Sequence, residues 1–249
     1  MAKKQPGSLA LTPRVKDILR LLDHTPLPAH LIREASVTFG SAEYPEGEFR
    51  SDRRVRQKLQ QLVDARLASE HEFTITGRGV MKFFQTAPSG YRALHGTDPP
   101  EERRRFFRPI ARLNWEHTYA NARAIVKTLI ASHQAGIRVT NFCRENELTL
   151  ATGSHAVEPD HLFQFCADGR YFNCFYEIDL NTETLQSQHP KAWQQRILAY
   201  EAYQDWLLQI WKQNGCREPQ ARFRVHFLTT TTDHAYRFLV PRITIVRPP

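Results

Sequence analysis

The sequence predicts an α/β chain (α+β overall), with a basic helical first part followed by a mixed sheet between helices. Three observations predict it. The charge is uneven: Met1 to Arg112 holds 20 Lys+Arg against 13 Asp+Glu, while Leu113 to Pro249 holds 14 against 13. Apolar stripes at helical spacing come first and are followed by two strand-like runs around Gly77 and Gly79. From Asn114 onward the order reads helix, strand, strand, strand, helix, strand, helix, the pattern of a sheet covered by helices. At 249 residues, 41% hydrophobic and 11% aromatic, the chain can bury a sizeable core.

The first part reads element by element. In "TPRVKDILRLLDHT", Thr12 is a capping residue, Pro13 suits the first helical position, and Val15, Ile18, Leu19 and Leu22 form a stripe. "PLPAHLIREAS" predicts a short second helix, and "GSAEYPEGEF" a polar loop. "RSDRRVRQKLQQLVDARL" predicts a third helix, capped by Ser51 or Asp52, with Val55, Leu59, Leu62 and Val63 on its apolar side. Arg50, Arg53, Arg54, Arg56 and Lys58 lie on the other side. "LASEHEFTITGRGVMKFFQTA" predicts a hairpin with Arg78 at its tip, and "PSGYRAL" a short helix after it.

Three helices and a hairpin is the winged-helix order, in which the third helix enters the major groove and the hairpin lies near the backbone. With a chain pI near 9.5, the expected partner is double-stranded DNA, contacted by those five side chains and Arg78. A basic helix face that is merely solvated, or a winged helix that docks protein, would show the same pattern. The expected domains are 1–98 for the winged helix, 99–114 for the linker "PPEERRRFFRPIARL" and its flanks, and 115–249 for the second domain.

In the second part "NWEHTYANARAIVKTLIASHQAG" predicts a long helix ending at Gly136, with Trp115, Tyr119, Ala122, Ile125, Val126 and Leu129 as its stripe. "IRVTNFCREN" gives a strand and loop. "AVEPDHLFQFCADG" and "RYFNCFYEIDLN" give a hairpin turning near Gly169. "HPKAWQQRILAYEAYQDWLLQIWKQNG" is a second long helix, "ARFRVHFLTTT" a strand, "TDHAYRFLV" a final helix and "ITIVRPP" a last strand.

Acids gather on this frame. Asp160 opens one strand, Glu177 and Asp179 alternate on the next, and Glu183 follows in the turn. The order and the "PD" of Pro159–Asp160 resemble the PD-(D/E)xK nuclease superfamily. That resemblance implies a restriction-endonuclease-like domain in which Asp160 and Glu177 hold Mg²⁺, a hard cation that takes oxygen ligands. Asp179 stands where the superfamily carries lysine. Some members supply that lysine from the next helix, where Lys191 and Arg196 are the basic residues.

"EPDHLFQF…YEIDLNTETL…RILAYEAY", behind a winged-helix half, resembles more closely the replication-relaxation protein family of bacterial plasmids and mobile elements. Thr182–Glu183 matches that family's turn and Tyr200 its helical tyrosine, which puts Arg196 at the lysine position. The resemblance implies a DNA-binding protein acting in replication, relaxation or mobilisation. The alternatives are a Mg²⁺-dependent endonuclease or nickase, with Asp160, Glu177, Asp179, Lys191 and Arg196 as candidate catalytic residues, and a module docking a replication or transfer protein. The acids themselves keep two readings. In one, Asp160 and Glu177 are metal ligands. In the other, Asp179 and Glu183 cap the turn and helix while Asp160 pairs with Arg196.

Cys143, Cys166, Cys174 and Cys216 show no CxxC spacing, which argues against a zinc site or disulfide framework. The start "MAKKQPGSLAL" lacks a signal-peptide apolar core, and no apolar run approaches about 18 residues. The expectation is a cytoplasmic protein without a membrane partner.

Overall fold

The computed structural model describes residues 9–40, 47–75, 79–180, 193–215, 223–229 and 243–246. It divides into two compact units, Met1–Ala135 and Gly136–Pro249, and is mixed α/β as the sequence predicts.

In the first unit, α1 (Pro13–His24) begins where Thr12 Oγ1 accepts from the Val15 amide at 3.4 Å. Its buried residues are Val15, Ile18, Leu19, Leu21 and Leu22, so the period of the stripe survives folding. β1 (Leu27–Pro28) leads into α2 (Ala29–Ala35), and α3 (Asp52–Asp64) buries Val55, Leu59 and Leu62. β2 (Ala68–Ile75) and β3 (Gly79–Thr86) pair antiparallel from Ala68↔Thr86 to Ile75↔Gly79. β1 lines the other edge of β3, with Leu27 opposite Phe84. α4 (Pro88–His95) follows. Its Gly90 lies so close to the Leu67 carbonyl that a Cβ there would clash with backbone, which explains a glycine inside a helix.

The linker docks on this unit. A 3₁₀ helix (Glu101–Phe107) sets Arg103 3.1 Å from Asp23 and over the Tyr91 ring. Gln85 donates to the Phe106 and Arg108 carbonyls at 2.5 and 3.2 Å. α5 (Trp115–Gln134), which the sequence reading groups with the second domain, shares the first unit's core through Ala122 and Val126, both fully buried. Tyr119 Oη lies 3.1 Å from His30 Nε2 of α2.

The second unit is built on a five-stranded sheet in the order β10-β9-β8-β7-β4. β4 (Arg138–Arg144), β7 (His161–Ala167) and β8 (Arg170–Asp179) are antiparallel; β8, β9 (Phe223–Thr229) and β10 (Ile243–Val246) are parallel. The β7–β8 turn has Asp168 and Gly169 at φ 50° and 71°, the Asp-Gly signature of a two-residue hairpin turn. Parallel β8 and β9 need a crossover, and α6 (Trp193–Gln213) lies on it. A small hairpin, β5 (Leu150–Thr152) with β6 (His155–Val157), is an element the sequence reading lacks. The expected helix "TDHAYRFLV" lies outside the described residues; the strand expected in "ITIVRPP" is β10.

Each sheet face has its own character. α6 packs on Phe175, Val225 and Phe227, with Trp193 4.5 Å from the Phe227 ring and Tyr200 5.7 Å from Phe175. The opposite face carries a row of stacked rings across four strands: Phe142, His161, Tyr176 and His226. Burial, and then Arg224, hold His226 below its ordinary pKa, which favours its neutral ring. No helix among the described residues is long and apolar enough to cross a membrane.

Candidate functional site

Strand period and helix period together assemble the acidic cluster. Along β8, alternate residues Phe175, Glu177 and Asp179 share the face that α6 covers, and Glu177 sits opposite Phe227 of β9. On α6, Arg196 and Tyr200 are one turn apart, beside Trp193 and Ile197 on the packed side. Glu177 is therefore fully buried beneath two polar side chains. Tyr200 Oη donates to Glu177 Oε1 at 2.6 Å. Arg196 Nη1 stands 2.9 Å from Oε2, an ion pair that lacks hydrogen-bond alignment. The same guanidinium donates from Nη2 to the Glu158 carbonyl at 3.3 Å, tying α6 to the segment before β7.

Asp160 uses its carboxylate differently. Its amide donates to the Tyr176 carbonyl at 3.1 Å, and its Oδ2 accepts from the Ile178 amide at 2.6 Å. The side chain thus replaces a strand carbonyl and prolongs the β7–β8 ladder by one step, with a short charge-assisted bond. Asp179 is buried on the same sheet face as Glu177. Arg196 meets Glu177 and the Glu158 carbonyl, because the α6 turn aims it at the β8 acid. Glu183, Lys191 and Arg78 lie outside the described residues.

Hard cations take several oxygens with spare negative charge. Both Glu177 oxygens already face Tyr200 and Arg196, and the guanidinium balances the charge. Asp160, Glu177 and Asp179 do not bring one oxygen each within 4.8 Å of one another, whereas Glu145 and Asp160 do bring carboxylate oxygens that close. A two-carboxylate pair able to face a cation exists at Glu145 and Asp160, and the sequence reading missed Glu145.

The tyrosine titrates abnormally. Burial first, then the negative charge of Glu177 and the hydrogen bond donated to it, raise Tyr200 well above its ordinary pKa of 10.0; Arg196 acts the other way. A raised folded pKa means its stabilising contribution is complete below the unfolded value and is lost as pH climbs through the folded one. Thermal melts across pH 8 to 12, a window set around the ordinary tyrosine value of about 10, should show stability falling on the alkaline side. Tyr200→Phe should flatten that part of the decline; an unchanged profile would remove Tyr200 as its source.

The second candidate surface is α3. Arg50, Arg53, Arg54 and Arg56 are exposed and Lys58 half-buried. The acids of the helix lie at its two ends. Asp52 pairs with Arg33 at 3.0 Å and touches Arg56 only at 4.0 Å, while Asp64 accepts from Gln60. No carboxylate of the described residues pairs with Arg53 or Arg54. The middle of the exposed face therefore holds positive charge and amides without an acid.

These features define a two-unit α/β protein with a basic helix in one unit and a buried acid–tyrosine–arginine cluster at the β8–α6 crossover of the other. The family described as replication-relaxation matches residues 19–215, most of the chain, and the protein belongs to it. No curated protein and no solved structure matches the chain.

Proposed function

We propose that the protein binds double-stranded DNA through a winged helix formed by α1, α2, α3 and the β2–β3 hairpin. It would serve the replication, relaxation or mobilisation of a plasmid or other mobile element. The observation that carries the reading is the exposed arginine face of α3, where no carboxylate of the described residues pairs with Arg53 or Arg54, set immediately before a hairpin. Family membership supports the role in replication and relaxation. The mixed sheet of the second unit and its buried acids are compatible with a nuclease-like domain, and a guanidinium stands beside Glu177. On this reading it binds or positions DNA without cutting it.

The Glu145–Asp160 pair favours one alternative, a Mg²⁺-dependent endonuclease. Gel mobility shift and nicking assays on supercoiled DNA, with and without Mg²⁺, separate the cases. A retarded, uncut complex is expected. Nicking that requires Mg²⁺ would favour the endonuclease. Neither binding nor nicking would leave a docking module for replication or transfer proteins.

A further inference from the structure

α3 divides its exposed side chains by direction, and the division matches the walls and floor of a groove. At about 100° per residue, Arg53 and Gln57 lie roughly 20° either side of one line, and Arg54 and Arg56 lie roughly 80° either side of it. Val55 lies opposite, buried at 0% exposure with Leu59 and Leu62. The two central side chains and the two flanking ones are all exposed. Gln60, the next amide near the centre, is held by Asp64 at 2.9 Å.

We propose that α3 lies in the major groove of duplex DNA with Arg53 and Gln57 on base edges and Arg54 and Arg56 on opposite phosphate walls. The proposal rests on the DNA-binding reading above and adds which residues read sequence. A major groove about 12 Å wide admits a helix, whose central side chains meet bases and whose flanking ones meet backbone. Arginine forms a bidentate pair with guanine O6 and N7, and an amide such as glutamine with adenine N6 and N7. Four residues rise about 6 Å along the helix, roughly two steps of 3.4 Å along the duplex. The site should contain a guanine and an adenine at about that separation.

The test selects bound sequences from a randomised duplex pool with the full chain. Fluorescence anisotropy then compares the selected site with single-base variants. Arg53→Ala should lose discrimination at the guanine and Gln57→Ala at the adenine, each by about 10- to 100-fold. Gln57→Ala should leave the salt slope unchanged, since no charge is removed. Arg54→Ala and Arg56→Ala should keep the preference and each lower the slope by about one. Circular dichroism confirms that the four exposed variants fold. Binding without preference, or preference intact in Arg53→Ala and Gln57→Ala, overturns the assignment while leaving DNA binding in place. Absence of duplex binding by the wild type overturns both.

Discussion

Replacing Arg53, Arg54 and Arg56 together by alanine is expected to abolish tight duplex binding while leaving the fold intact. All three are exposed, and among the described residues only Arg56 approaches an acid, at 4.0 Å, so little folded-state energy is lost with them. Two of the three stand where phosphates would lie. The slope of log affinity against log salt should fall by about two. Wild type should then lose roughly tenfold more affinity than the variant between 50 and 200 mM salt. Affinity and slope equal to wild type would show that α3 is not the interface and would leave the docking reading standing.

The second large effect lies in the buried cluster. Arg196→Met takes the guanidinium away from Glu177, which is at 0% exposure, and should destabilise the second unit by about 3–5 kcal/mol. Replacing both partners, with Glu177→Leu added, should recover most of that loss, because an apolar pair of similar volume removes the stranded charge. The arginine also makes a prediction about metal. If it stands in for a cation at Glu177, Mn²⁺ should raise the melting temperature of Arg196→Met more than that of wild type. Binding only to the native state adds about 2.7 kcal/mol at a hundredfold excess over Kd. A wild-type melt that rises in millimolar Mn²⁺, and no longer does so in Asp160→Asn, would identify Asp160 as a ligand and bring the endonuclease forward.

The sequence was most informative where local rules decide structure. Thr12 and Pro13 mark the start of α1, the Val55–Leu59–Leu62 spacing marks the buried side of α3, and Asp168–Gly169 marks the β7–β8 turn. Each depends on neighbours within a turn or two. β5 and β6 are three residues long, too short for alternation to rise above noise, although Gly153–Ser154 between them is a turn signal. The apolar stripe of α5 shows that a face is buried without showing in which core. The cluster depends on longer range still. Glu177 and Tyr200 are 23 positions apart, and nothing local says that Arg196 turns to Glu177. That choice follows from the register of β8 against β9 and the phase of α6 above them.

The place of α5 bears on how the chain can be divided for biochemistry. A fragment ending before Trp115, the boundary suggested by composition, would lack Ala122, Val126 and Tyr119 and would open an apolar gap beside α2 and β3. A fragment carried through Ala135 keeps that gap closed and stops beside Gly136, whose φ of 66° suits the end of a helix. Of two truncations about twenty residues apart, the longer should be the monodisperse one, and the shorter should self-associate through the surface it leaves bare.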